Sequence, residues 1–155
     1  MVTEVGIDIL EQESIPREAA RQLRKKVCSS NEEREAMENE AASLAQAIKR
    51  GKDPAKVKED CLKLGIVLWT MGRAKEAVEA LEEVKTRKAA CYYLGKCYEE
   101  RGDYEKALEL LEKARKEDTE EIDLELEVVG VQRKAGQTKE ALKKIEQMAK
   151  AHGNE

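Results

Sequence analysis

The chain has 155 residues, a length that fits one domain, and 41% of them are hydrophobic, which is enough for a core. Only 3% are aromatic, so the core is expected to consist of closely packed aliphatic side chains. Charged residues of both signs make up 40% of the chain, and its net charge of -4 argues against a nucleic-acid partner. No apolar run approaches the roughly 20 residues that a membrane-spanning helix needs.

Residues 1–53 are predicted to form an N-terminal helical unit. The first 13 alternate apolar and acidic side chains, which is compatible with a short helix or with an extended arm. Ser14-Ile15-Pro16 then opens a helix, because serine can accept from unpaired amides and proline in a first turn has no N–H to lose. That helix is predicted to run to about Cys28, with an apolar stripe of Ala20, Leu23 and Val27.

A basic run lies on the same predicted helix. It consists of Arg21, Arg24, Lys25 and Lys26. Because acidic residues follow soon after it, we interpret the run as one solvated helix face rather than as a phosphate- or membrane-binding patch.

A second, longer helix is predicted to begin at a capping box. In Ser30-Asn31-Glu32-Glu33 the serine oxygen would accept from the Glu33 amide, and the Glu33 side chain would reach back to the Ser30 amide. Gly51 closes this helix, and Asp53 caps the next. Since residues 1–53 lack a turn glycine and an Ala-x3-Leu pattern, we favour a helical cap over a degenerate repeat, its role being to cover the apolar end of a stack.

The remaining chain, residues 54–155, repeats one pattern three times, in units 58–87, 88–121 and 122–155. Each unit has a helix, a turn glycine and a second helix with a small residue five positions after the glycine. The positions recur as Gly72, Ala77 and Leu81, then Gly102, Ala107 and Leu111, then Gly136, Ala141 and Ile145. The turn glycines are predicted to be left-handed, and the small residues Gly95 and Ala107 to let two helix backbones approach closely.

These motifs resemble the tetratricopeptide repeat family, whose signature is W-x2-L-G-x2-Y followed by A-x3-F. The middle unit carries Leu94-Gly95-x2-Tyr98 and Ala107-x3-Leu111, with Cys91 in place of the tryptophan. In the third unit Val129 replaces the glycine. The resemblance implies an all-α fold, an α-solenoid of helix hairpins, in which the first helix of each unit lines a concave groove.

The same resemblance implies which side chains face the groove. They are Leu62, Ile66 and Trp69 from the first unit, Tyr92, Lys96 and Glu99 from the second, and Leu126, Gly130 and Arg133 from the third. Trp69 and Tyr92 are candidate anchors for a partner, because aromatic side chains give large contact areas with few rotamers to freeze. For Trp69, packing between helices is an equally open alternative.

Two functions follow as expectations. The favoured one is an adaptor or scaffold whose groove binds a helix or an extended peptide of another protein. The alternative is a self-assembling scaffold, or a fragment of a longer repeat array, that uses its C-terminal helix. That helix is predicted to carry an apolar stripe of Leu142, Ile145, Met148 and Ala149.

The sequence offers no support for catalysis, a metal site or a cofactor. No His, Cys or Ser has a recognisable base beside it, and no glycine-rich phosphate loop is present. The four cysteines form no C-x-x-C pair and are interpreted as reduced thiols, with Cys61 and Cys91 buried at equivalent repeat positions. Reduced thiols, together with an N-terminus without the pattern of a signal peptide, predict a cytoplasmic protein.

Overall fold

The computed structural model of the chain describes residues 17–117 and 122–153, which form eight α-helices and no strand. The helices are α1 (Arg17–Ser29), α2 (Asn31–Arg50), α3 (Pro54–Thr70), α4 (Ala74–Glu82), α5 (Lys88–Glu100), α6 (Tyr104–Glu117), α7 (Ile122–Lys134) and α8 (Thr138–His152). The predicted all-α fold is therefore confirmed. The predicted helix start at Ser14 and the arm before it lie outside the described residues.

Six of these helices form three stacked hairpins: α3 with α4, α5 with α6, and α7 with α8. The second helix of one hairpin packs against the first helix of the next, so that α4 contacts α5 and α6 contacts α7. The helix α2 lies against α3 at the N-terminal end of the stack. This arrangement is the predicted α-solenoid with helices at its N-terminal end.

Each hairpin turns at a glycine with left-handed backbone. The φ angles are 74° at Gly72, 79° at Gly102 and 80° at Gly136. At the middle turn, Asp103 N–H donates to the Tyr98 carbonyl (2.9 Å) and Gly102 N–H donates to the Glu99 carbonyl (3.1 Å), the hydrogen-bond pair that closes a helix at an αL residue. The prediction for the turn glycines is confirmed.

The two helices of a hairpin approach closely where the first carries a glycine. A Cβ atom placed on Gly95 would lie 2.8 Å from Cγ of Leu111 and 3.3 Å from the Ala107 carbonyl oxygen. Gly65 stands in the same relation to Leu81. Both leucines are buried, so each glycine makes room for a leucine of the facing helix.

The N-terminal caps form, but the reciprocal half of the capping box does not. Ser30 Oγ accepts from Glu33 N–H at 3.4 Å, and Asp53 Oδ1 accepts from Ala55 N–H at 3.1 Å. The Ser30 N–H instead donates to the Lys26 carbonyl at 2.9 Å. The prediction for the Glu33 side chain was wrong because α1 ends one residue before Ser30. The Lys26 carbonyl in the last turn of α1 therefore accepts the hydrogen bond from Ser30 N–H that the Glu33 side chain was expected to accept.

Candidate functional site

The first helices of the three hairpins present one face to α1, and we call this face the inner wall. It is defined by Trp69 on α3, by Tyr92, Lys96 and Glu99 on α5, and by Glu127 on α7. The helix α1 packs against α2 and α3 through Ala20, Leu23 and Val27, and its arginines reach across to α5. The wall that the sequence predicted to be open to a partner is therefore partly covered by the chain itself.

Aromatic side chains form the centre of the inner wall. The rings of Trp69 and Tyr93 pack edge to face with centroids 5.4 Å apart, and those of Tyr93 and Tyr92 do the same at 5.1 Å. Trp69 and Tyr92 are each only 2% exposed. In this structure Trp69 packs between helices, which was the open alternative to a free anchor.

Two arginines of α1 lie over these rings. The guanidinium carbon of Arg24 is 4.6 Å from the centroid of the Trp69 ring, and that of Arg17 is 5.2 Å from the centroid of the Tyr92 ring. Arg24 also forms an ion pair with Glu100 at the end of α5. Such cation–π contacts gain strength when the cation is partly desolvated, and the Arg24 side chain is 28% exposed.

The basic run is thus divided between two environments. Lys25 and Lys26 are exposed, as predicted, whereas Arg21 and Arg24 are half-buried against the inner wall. The interpretation of the whole run as a solvated face was wrong for these two residues. The physical reason is that the aromatic rings and carboxylates of α3 and α5 lie on that flank of α1.

An ion-pair network on the inner wall connects α5 of the second hairpin with α7 of the third. Lys96 Nζ lies 2.7 Å from a Glu127 oxygen and 2.8 Å from a Glu99 oxygen, and Lys134 Nζ lies 2.5 Å from the other Glu99 oxygen. The Tyr92 hydroxyl donates to Glu127 at 3.3 Å.

The pKa values of this network follow from burial and pairing. Burial alone would raise the pKa of Glu99, but the hydrogen bonds from Lys134 and Lys96 outweigh it and lower that pKa. Burial and the Glu127 carboxylate both raise the pKa of Tyr92. At neutral pH Glu99 is therefore charged and paired and Tyr92 is neutral, so the network holds two hairpins together.

The contact between α1 and the inner wall leaves polar atoms without partners. Trp69 Nε1 and Tyr93 Oη are buried and make no hydrogen bond with the described residues. Each such atom costs about 1–3 kcal/mol relative to a satisfied one. A cleft of about 620 Å³ remains beside Trp69, lined by α1 and by Lys96, Glu100 and Glu127. The helix therefore covers the wall without matching all of its polar groups.

The third hairpin carries a separate apolar surface, which we call the end face. Leu126, Leu142 and Ile145 are 53%, 55% and 45% exposed. Together with Gly130 and Arg133 they line a cleft of about 300 Å³ between α7 and α8. The equivalent surface of the second hairpin is covered by α7, whereas none of the described helices covers the end face.

The predicted groove residues are thus distributed over several environments. Trp69, Tyr92, Lys96 and Glu99 lie together on the inner wall, Ile66 is buried, and Leu62 is half-buried against the core. Leu126 and Arg133 are exposed on the end face.

Sequence reasoning missed the residues that α1 and the neighbouring helices bring to the wall. They are Arg17, Arg24, Glu100 and Glu127. The available signal was the seven-residue spacing of Arg17 and Arg24, which places them on one flank of the Ala20-Leu23-Val27 stripe.

The cysteines are free in the part of the chain that the structure describes. Cys61, Cys91 and Cys97 are buried and Cys28 is exposed. Burial raises the pKa of the Cys97 thiol to about 12, so this group is a poor nucleophile. Within residues 17–117 and 122–153 no cluster of three potential metal ligands occurs, and no helix has the length and apolar character to cross a membrane.

Comparison with known proteins agrees with this architecture. Residues 68–124 match the profile of the Tetratricopeptide repeat family. Among solved structures, the chain is similar to the nearly identical TPR-like repeats of a protein described as a kinesin light chain from Podosopora anserina, with a TM-score of 0.69 and 23% identity over 93% of this chain and 78% of that one. No curated protein matches the sequence. Residues 68–124 therefore match tetratricopeptide repeats in sequence, and the chain as a whole has the fold of a tetratricopeptide repeat solenoid.

Proposed function

We propose that the chain is a protein-interaction module, not an enzyme, and that its inner wall holds a helix or an extended segment of another protein. The observation that carries this proposal is α1, which places Arg24 over the Trp69 ring and Arg17 over the Tyr92 ring and buries its own apolar stripe. An amphipathic helix in a groove is one of the recurring modes of peptide recognition. The wall has the aromatic residues and carboxylates that this mode uses.

The family supports the same conclusion in a coarser form. Tetratricopeptide repeats stack into extended surfaces that are suited to binding other proteins. The charged groups of the wall support a binding role, because Lys96 pairs with Glu127 and Glu99, and Lys134 pairs with Glu99, so that these charges join neighbouring helices.

Photo-crosslinking from the full chain tests this proposal. A photoreactive amino acid replaces Leu126, an end-face residue that also lines a cleft with Arg21 and Glu127 at the edge of the inner wall, and a control variant carries it at Glu109, which is exposed on the second helix of hairpin two. We expect position 126, but not position 109, to give an adduct with another protein, whose mass distinguishes it from a dimer of the chain. Identical adducts from both positions, or none from position 126, would refute a partner on this wall.

A second candidate function is self-association through the end face. It is favoured by the exposure of Leu126, Leu142 and Ile145 on neighbouring helices, since a contiguous apolar patch on a protein surface often marks an interface. Sedimentation equilibrium over a range of concentrations should then show a dimer. The Leu142→Asp, Ile145→Asp variant should be monomeric, and Glu109→Lys should behave as wild type. A wild-type chain that stays monomeric excludes this candidate.

A further inference from the structure

We propose, resting on the function proposed above, that the inner wall recognises an amphipathic helix with two arginines seven residues apart. In this proposal α1 is the occupant of the wall within the same chain, and a partner helix with the same pattern displaces it. The partner is thus defined by its chemistry: an apolar stripe flanked by two guanidinium groups.

The spacing of the arginines fits the spacing of the aromatic rings. Residues seven apart in an α-helix lie on one face and are separated by about 10 Å along the axis. The two rings belong to neighbouring packed helices, Trp69 to α3 and Tyr92 to α5, whose axes are separated by about 8–10 Å in such packing. Arg24 and Arg17 therefore each meet one ring, at 4.6 Å and 5.2 Å, while the stripe between them packs on α2 and α3.

Both arginines are expected to matter as arginines and not only as cations. A planar guanidinium stacks on an aromatic face and is more weakly hydrated than an ammonium group. At Arg24 the same group also forms an ion pair with Glu100. The other carboxylates nearby, Glu99 and Glu127, already have Lys96 and Lys134 as partners. Charge recognition by the wall is therefore concentrated at Glu100.

The fit of α1 is incomplete, which is what makes exchange for another helix favourable. Trp69 Nε1 and Tyr93 Oη on the wall are buried without hydrogen bonds. A cleft of about 620 Å³ lies beside Trp69. A partner helix that carries the arginines and places a polar side chain over the cleft would satisfy atoms that α1 leaves unsatisfied.

Fluorescence anisotropy with a labelled peptide tests the proposal on the full chain. The probe has the sequence of Arg17–Ser29 with Cys28→Ser, and the control peptide carries alanine at both arginine positions. We compare wild type with the Arg17→Ala, Arg24→Ala variant, whose α1 has lost its two ring contacts. The arginine peptide should bind this variant at least about tenfold more tightly than wild type. This factor is expected if α1 has left the inner wall in about a tenth of the wild-type molecules.

Three further arms make the result specific. The alanine peptide should bind neither protein measurably. A protein with Arg24→Lys should lie between wild type and the double variant, because lysine keeps the charge but not the stacking. Lys26→Ala, which changes an exposed cation of the same helix, should leave the affinity unchanged. Circular dichroism of each variant verifies folding, and if the double variant does not fold, the two peptides are compared on wild type, where only the arginine peptide should bind.

Equal binding of the two peptides, or equal binding of the arginine peptide to wild type and the double variant, would overturn the proposal. So would the absence of binding in every arm. A partner crosslinked from position 126 in the same preparation would then show that the wall binds another protein by a different chemistry. In that case the proposed function would stand and the arginine-helix inference would fall.

Discussion

One substitution, glycine to alanine, should have opposite effects at two glycines of this chain. Gly102 has a φ of 79° and Gly130 lies within α7, and an added Cβ meets no atom within 4 Å at either position. At Gly102 the methyl group penalises the left-handed backbone, and we expect a loss of about 1 kcal/mol in the free energy of unfolding. At Gly130 alanine favours the helix, and we expect a gain of about 0.5–1 kcal/mol.

Gly95→Ala separates backbone preference from packing. This position is helical like Gly130, but its new Cβ would lie 2.8 Å from Cγ of Leu111. Overpacking of this kind costs about 1–3 kcal/mol, which exceeds the helix preference that alanine gains. We therefore expect net destabilisation, although the substitution and the secondary structure are the same as at Gly130.

Urea unfolding followed by circular dichroism measures all three variants. The Gly102 and Gly130 variants should differ by about 1.5–2 kcal/mol, and thermal midpoints should move by about 2–4 °C per kcal/mol in a chain of this size. A Gly102 variant as stable as wild type would contradict the turn assignment. A destabilised Gly130 variant would show that free space at that position is not what the structure describes.

Three further predictions concern the core, the ion pairs and a helix cap. Leu111→Ala should lower the free energy of unfolding by about 2–5 kcal/mol in the same assay, because this side chain is fully buried in the space that Gly95 leaves. The pKa of Glu99 is lowered by Lys134 and Lys96 against the effect of burial, so its contribution to stability is present at neutral pH and is lost as pH falls below the ordinary glutamate value of about 4.3. Glu99→Gln should therefore show a shallower loss of stability on acidification than wild type, measured as urea midpoints at a series of pH values, and an unchanged slope would contradict the pairing. Ser30→Ala should lower the free energy of unfolding by about 1 kcal/mol, because the Glu33 amide loses its side-chain acceptor; no change in the urea midpoint would mean that the cap is not formed in solution.

The fold could be predicted from the sequence because its signals are local. The turn at Gly102 and the contact of Gly95 with Leu111 depend on spacings of at most 16 residues within one hairpin, and these spacings recur along the chain. The capping-box prediction was half right. The hydrogen bond to Ser30 Oγ depends on local sequence, whereas the hydrogen-bond partner of Ser30 N–H depends on where the preceding helix ends. The division between residues 1–53 and 54–155 stays a prediction.

The site could be predicted only in part because its contacts join distant residues. The first helices of the repeats were expected to supply the wall, and Trp69, Tyr92, Lys96 and Glu99 do lie together there. The cation over the Tyr92 ring, however, is Arg17, 75 residues earlier in the chain. A periodic pattern shows that a helix has an apolar stripe, but it does not show which distant helix the flank of that stripe will meet.

The joint between α1 and α2 is a single residue. Ser30 alone separates the two helices, and its backbone is extended, with φ -134° and ψ 128°. Two torsion angles therefore set the direction in which α1 leaves the solenoid. With helical values at this one residue, residues 17–50 would form one straight rod of about 50 Å, and Trp69 and Tyr92 would face solvent.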